Sequence, residues 1–207
     1  DATKTHDNYA GVYKTLNARL DEKQEDNTFY IRKVKNNPQP DVTIISTVAD
    51  PLHQFEFIRP ITDILEKENK TYNIAPLHNP KLLGKKIIFT GTAIKDNEFL
   101  KHKEVARQIM SSNKPILGIC AGMELLLQQD LEEVKEVGSL FIESTEFPEY
   151  NYFLHQYGAK VVSAEWDVIA RTEKGVAAIR HKEKPILAMQ FHPEVSAKEV
   201  IAKFTNN

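Results

Sequence analysis

The sequence predicts an α/β fold: an open, mainly parallel sheet flanked by helices, with a β-hairpin-rich final third. Three observations predict it. From Asp41 onward, short β-branched or apolar runs alternate with helical patterns. The runs end in small or turn-forming residues, as buried parallel strands do. From Lys160 the helical periodicity gives way to short strand-like runs joined by tight turns.

Residues 1–40 stand apart from this pattern and read as an N-terminal extension packed on a main domain, 41–207. Within the extension, Tyr9, Val12, Tyr13, Leu16 and Leu20 recur at helical spacing behind Asp7, a candidate N-cap. A polar, acidic run from Asp21 to Asn27 follows. Phe29 to Val34 reads as a short strand or extended arm, and Asn36-Asn37-Pro38-Gln39-Pro40 breaks the chain.

In the main domain, Val42–Ser46 is a β-branched run expected to be a buried strand. A helical stretch from Leu52 to Asn69 carries Phe55, Ile58, Ile61 and Leu65 on one stripe, with a kink or fresh start expected at Pro60. Tyr72–Ala75 and Lys86–Thr90 are the next strands, and the latter ends in Gly91. Phe99–Ser111 is expected to be helical, Pro115–Ile119 a strand, and Gly122–Gln129 a helix. Lys160–Ser163, Asp167–Thr172, Gly175–Arg180 and Ile186–Gln190 are expected strands, with turns at Glu173–Gly175 and His181–Lys184.

Net charge is −2 over 207 residues, so no basic footprint for nucleic acid is present. No apolar run approaches the ~20 residues that span a bilayer, and no signal peptide is visible. One cysteine excludes an internal disulfide, which points to a reducing compartment and a cytoplasmic location. Seven scattered histidines and one thiol make no metal site, and no Walker-type phosphate loop occurs. No cofactor is expected.

The lone thiol sits in Gly118-Ile119-Cys120-Ala121-Gly122, between a strand and a helix. This has the form of a nucleophile elbow, in which small residues allow a sharp turn that exposes the reactive atom. A helix N-terminus beside sulfur favours thiolate, and the Ala121 N–H would face a developing oxyanion. A thiol nucleophile needs a base, and the base an orienting group. Gln190-Phe191-His192-Pro193-Glu194 follows a strand and offers both. An extended backbone would project His192 and Glu194 to one side, stiffened by Pro193.

Taken together, Pro-Ile-Leu-Gly-Ile-Cys-Ala-Gly and Gln-Phe-His-Pro-Glu-Val-Ser resemble the two signatures of the class I, triad-type glutamine amidotransferases. The resemblance runs from about Asp41 to Phe204. It implies a flavodoxin-like glutaminase domain in which Cys120, His192 and Glu194 form a catalytic triad. Cys120 would attack the side-chain amide of glutamine and form a γ-glutamyl thioester. Ammonia would pass to a partner synthase. The resemblance also implies a second oxyanion donor from the main chain of Gly91 or Thr92, in the loop Thr90-Gly91-Thr92-Ala93.

Three departures from the family pattern stand out. Glu124 occupies a position where the family usually has a substrate-lining glutamine, and a carboxylate cannot donate as an amide does. The loop after the third strand lacks the family's second glycine and its proline. The segment from Glu132 to Tyr152 looks short, with Val137-Gly138-Ser139 as a remnant. Phe153–Gly158 resembles the family's histidine-containing segment, which makes His155 a second substrate-binding candidate. Trp166, Tyr150, Tyr152 and Tyr157 read as packing or rim residues. Glu124 keeps open a stand-alone γ-glutamyl hydrolase or peptidase, and a non-catalytic regulatory module is the weaker alternative. Homo-oligomerisation is compatible with each of these readings.

Overall fold

The computed structural model describes residues 39–207. Nearly all of the expected extension, residues 1–38, lies outside them. The β-branched runs form the strands they predict. Strands β1 (Val42–Ser46), β2 (Tyr72–Pro76), β3 (Lys86–Phe89) and β4 (Ile116–Ile119) are followed by β5 (Glu132–Phe141) and β6 (Tyr150–Gly158). Then come β7 (Trp166–Arg171), β8 (Val176–His181) and β9 (Ile186–Met189). Among the described residues, seven strands make one sheet in the order β2-β1-β3-β4-β9-β8-β7. The pairs from β2 to β9 are parallel, whereas β9-β8 and β8-β7 are antiparallel.

Period-two alternation sends each strand's side chains into two cores. On one face Ile44, Ile88, Leu117 and Met189 pack with Ile58, Ile61 and Leu65. On the other, Ile45, Ile87, Phe89 and Ile116 pack with Ile109, Leu125 and Leu126. After α1 (Gln54–Phe57), Ile58 and α2 (Arg59–Lys67) supply the first set of partners, and α3 (Lys103–Met110) and α4 (Ala121–Leu126) the second. The chain closes with α5 (Pro193–Ser196) and α6 (Lys198–Asn206).

The fresh start at Pro60 is present: α1 ends at Phe57, and Pro60 sits in the first turn of α2. The restart rotates the apolar stripe, so Phe57 is buried and Phe55 is exposed, contrary to expectation. The helix expected from Phe99 begins as a 3-10 turn, Glu98–His102, and becomes α-helical only at Lys103. Lys160–Ser163 is not a strand. It offers β-branched residues but pairs with no strand, and Val161 is 73% exposed.

In place of that strand, β5 and β6 form an antiparallel ribbon that the sequence pattern does not announce. The inward-facing positions of β5 include Val134 and the buried acid Glu136, so the apolar alternation of a strand is hidden.

The glycines of the elbow serve packing more than turning. The positive φ falls on Cys120 itself, at +49°, and neither Gly118 nor Gly122 has one. A Cβ on Gly122 would lie 2.6 Å from Phe89 Cβ and 2.8 Å from Phe89 O. Backbone of a central strand cannot yield cheaply, so Gly122→Ala is expected to cost about 3 kcal/mol. A urea midpoint shift at unchanged slope checks this.

Candidate active site

The C-terminal ends of parallel strands collect the functional groups of open α/β sheets, and here β3, β4 and β9 do so. Cys120 follows β4. Its φ of +49° and ψ of −108° form a strained bend for a residue with a Cβ. The bend is fixed from both sides: Cys120 N–H donates to Met189 O at 2.8 Å, and Cys120 O receives Glu124 N–H at 3.1 Å. As the first helical residue of α4, Ala121 has an amide that no turn of that helix accepts. The Cys120 thiol is buried, with Sγ 3.6 Å from Leu154 O.

His192 follows β9. Its Nδ1 lies 2.7 Å from Glu194 Oε1, and both side chains are buried. The pairing does not use the extended backbone expected from the sequence. Glu194 lies in the first turn of α5, with Pro193 at the helix start and His192 at its N-cap. Pro193 suits that position because its missing N–H would be unsatisfied there anyway. The histidine's own amide donates to Tyr152 O at 2.8 Å, and Tyr152 N donates to Ser196 Oγ at 3.2 Å, which ties β6 to α5.

Burial of the His192 ring opposes its charge. The charge of Glu194, and then that of Cys120, overcome this and hold its pKa well above the ordinary histidine range. Its Nε2 is buried with no nitrogen or oxygen partner among the described residues, which leaves it to the Cys120 side.

Gly91, just past β3, closes the group. A Cβ there would stand 2.6 Å from His192 Cε1 and 3.3 Å from Cys120 Cβ. The loop reaches this conformation without a second glycine or a proline because two other residues hold it. Thr47 Oγ1 lies 2.9 Å from Gly91 O and 3.0 Å from Thr90 O, and Thr92 Oγ1 donates to Asp96 Oδ2 at 2.7 Å. No described backbone carbonyl receives the Gly91 or Thr92 amide. The structure therefore brings Cys120, His192, Glu194, Gly91, Thr92 and Ala121 together.

Glu124 and His155 line the same cavity as Cys120 and Thr92. The Glu124 carboxyl is buried and accepts from Gln190 Nε2 at 2.8 Å. Desolvation dominates that hydrogen bond and pushes its pKa up to about 7. His155 Nδ1 lies 2.8 Å from Tyr157 O, and its Nε2 lies 3.1 Å from Glu136 Oε2. This cavity is small, about 10 Å³, room for one water.

Thr47, Asp96 and Glu136 carry no mark in the sequence, and Gln190 none beyond its place in the His192 motif. Thr47, Gln190 and Glu136 act through partners distant in the chain, so no local spacing singles out their roles. Asp96, which receives Thr92 four residues before it, also accepts from the distant Ala49 N–H. Tyr152, expected as a packing or rim residue, has its ring centroid 6.2 Å from that of His192. The other aromatic neighbour of the imidazole is Phe57, at 5.6 Å.

The raised pKa of Glu124 gives a stability prediction. A carboxyl whose folded-state pKa is raised contributes stability present below its unfolded pKa of 4.5 and lost as pH rises through about 7. Glu124→Gln keeps the bond from Gln190 and removes the buried charge. The variant is expected to be more stable than the parent by about 3 kcal/mol at pH 8. Below about pH 4.5 the difference should vanish. Urea denaturation at the two pH values checks this.

The site thus sets a thiol on a strand-end elbow of an open, mainly parallel α/β sheet, beside a buried His–carboxylate pair and main-chain amides that no described backbone carbonyl receives. The chain belongs to the class I glutamine amidotransferase family: the model of the family described as "Glutamine amidotransferase class-I" matches residues 54–207. It is similar to a "GMP synthase [glutamine-hydrolyzing]" of Brachyspira hyodysenteriae, 32% identical over 119 residues, covering 50% of this chain and 23% of that protein. A protein of the same name from Francisella tularensis subsp. novicida is 31% identical over 113 residues, covering 45% and 22%. The matched region thus spans less than a quarter of the length of these curated relatives.

Solved structures share the fold. One, a protein of the GMP synthase type from Thermoplasma acidophilum, superposes with a TM-score of 0.66 at 19% identity, covering 80% of this chain and 92% of that one. A glutamine amidotransferase from Thermotoga maritima gives 0.55 at 18% identity, covering 80% and 82%. Among the described residues no helix is long and apolar enough to cross a membrane.

Proposed function

We propose that the chain is the glutaminase component of a glutamine amidotransferase and works through a Cys120–His192–Glu194 triad. The observation that carries this reading is the buried His192–Glu194 pair at 2.7 Å beside an elbow cysteine, in a chain of this family. The Cys120 thiolate attacks the side-chain carbonyl carbon of glutamine. The main-chain amides of Ala121 and of Gly91 or Thr92 hold the oxyanion. Collapse of the adduct breaks the C–N bond, and His192 gives its proton to the departing ammonia. Water then attacks the γ-glutamyl thioester with His192 as base, releasing glutamate and restoring the thiol.

Glu194 keeps the imidazole oriented and offsets its charge. Glu124 and His155 line the substrate pocket. The Thr92–Asn97 and Leu154–Tyr157 segments border the cavity beside Cys120 that glutamine would enter. Ammonia goes to a synthase component, and the curated relatives favour one of the GMP synthase type. A cytoplasmic site of action fits the single reduced thiol.

A second reading rests on Glu124. A buried carboxyl where the family usually has an amide suits a γ-glutamyl hydrolase that acts alone. Ammonia release from glutamine, measured with and without a GMP synthase-type synthase component, tests the proposal beside release of amines from γ-glutamyl peptides. The expected result is glutamine hydrolysis that the synthase accelerates. Peptide hydrolysis in preference to glutamine, indifferent to the synthase, would overturn it in favour of the second reading.

A further inference from the structure

The larger cavity at this end of the sheet does not contain Cys120. It measures about 160 Å³ and opens at the C-terminal ends of β1 and β2, between Ser46, Thr47, Leu77, His78, Phe99 and His102. Phe99 also lines the cavity beside Cys120, so the two spaces share a wall. Thr47, on the lining of the larger cavity, links it to the loop after β3. Its N–H lies 3.2 Å from Thr90 Oγ1, and its hydroxyl lies within 3.0 Å of the Thr90 and Gly91 carbonyls. Gly91 in turn lies against His192 and Cys120.

Two features point to a ligand. Ser46 is 8% exposed, and its Oγ has no hydrogen-bond partner among the described residues. A buried hydroxyl left without a partner costs free energy that a bound acceptor would recover. The volume is close to that of an engineered ~150 Å³ cavity known to take up benzene. Ile74, Leu77 and Phe99 supply apolar lining, while the side-chain donors are the Ser46 hydroxyl, the buried Gln54 amide and the imidazoles of His78 and His102. The acid on the described lining, Glu98, is already engaged by Lys101 at 2.7 Å. Donors bordering a partly apolar space of this size suit a small organic carboxylate.

We propose that this cavity binds a small organic carboxylate and that its occupancy is transmitted through Thr47 to the Gly91 loop and the Cys120 centre. The coupling rests on the reading of Cys120 as the nucleophile, whereas the binding does not. A ligand accepting from Ser46 sits one residue from Thr47. Any shift in which carbonyl the Thr47 hydroxyl serves moves the loop that contacts both Cys120 and His192.

The test uses the full chain and benzoate as the probe, with binding followed by titration calorimetry and by imidazole and methyl NMR shifts. One benzoate per chain is expected to bind saturably. Toluene, similar in size without the carboxylate, should bind more weakly, and Ser46→Ala should weaken benzoate by about tenfold. Alkylation of the single cysteine by iodoacetamide reads the coupling. Saturating benzoate should change its rate by about fivefold or more in the parent and in Thr47→Ser. In Thr47→Val, benzoate should still bind and the rate should no longer respond.

Absence of saturable binding, equal binding by Ser46→Ala, or toluene binding as tightly as benzoate would overturn the site. Binding without a change in alkylation, or a response that survives in Thr47→Val, would overturn the coupling. Neither readout uses glutamine, so the outcome stands apart from the success or failure of the glutaminase reading.

Discussion

Replacing Cys120 by alanine is expected to lower glutamine hydrolysis by about 10⁴-fold or more while leaving the fold in place. The activity loss follows from removing the atom that forms the covalent intermediate, since no other thiol exists in the chain. The fold should survive because the substitution keeps a Cβ at the same strained φ of +49° and deletes one buried sulfur whose contacts to Leu154 O and, at 4.0 Å, Gln190 Nε2 are weak. Stability to unfolding should therefore shift by no more than about 1 kcal/mol. Hydrolysis and unfolding measured on the same sample separate a lost nucleophile from a lost structure.

Glu194→Gln is the second large effect. The substitution is nearly isosteric and keeps a group at 2.7 Å from His192 Nδ1, but it removes the charge that, after desolvation, has the largest influence on the imidazole. Activity is expected to fall by about 10³- to 10⁴-fold, as when the carboxylate of a hydrolytic triad becomes an amide. The imidazole pKa, raised well above 6.5 in the parent, should drop in the variant, and an NMR titration of His192 reads this directly.

The stability consequence carries a definite sign. A histidine with a raised folded-state pKa contributes stability fully present below its unfolded pKa of about 6.5 and lost as pH rises through the folded value. The variant's deficit should thus be largest between about pH 5 and 6.5 and shrink at higher pH.

The legible parts of this molecule are those written in local sequence. Val42–Ser46, Lys86–Phe89 and Ile116–Ile119 are buried on both faces, so uninterrupted apolar residues announce them as parallel strands. The residues that meet around Cys120 can be named because they sit in two short segments at strand ends, Gly118–Gly122 and Gln190–Glu194.

What is not legible depends on distant partners. The β5–β6 ribbon hides its alternation behind Glu136, which is buried only because His155 on the facing strand receives it. The loop Thr90–Ala93 looks deficient without a second glycine, because one stabilising group, Thr47, belongs to a distant segment, and the other, Asp96, follows the loop and is itself tied to Ala49 N–H. The expected strand Lys160–Ser163 fails for the converse reason, since its residues suit a strand but find no pairing partner in the fold. The His192–Glu194 pairing is anticipated with the wrong backbone: Pro193 starts a helical turn, and that turn, not an extended chain, brings the carboxylate to Nδ1.

The proposed chemistry turns on one covalent bond, between Cys120 Sγ and a γ-glutamyl group. The most direct measurement mixes the chain with glutamine, alone and with the synthase component. The reaction is quenched in acid within its first turnovers, and the intact mass and peptide map are recorded. A γ-glutamyl adduct is expected on the peptide that contains Cys120, formed before glutamate appears and absent from Cys120→Ala. Ammonia release at the parent rate by Cys120→Ala, or an adduct on any other residue, would contradict the triad.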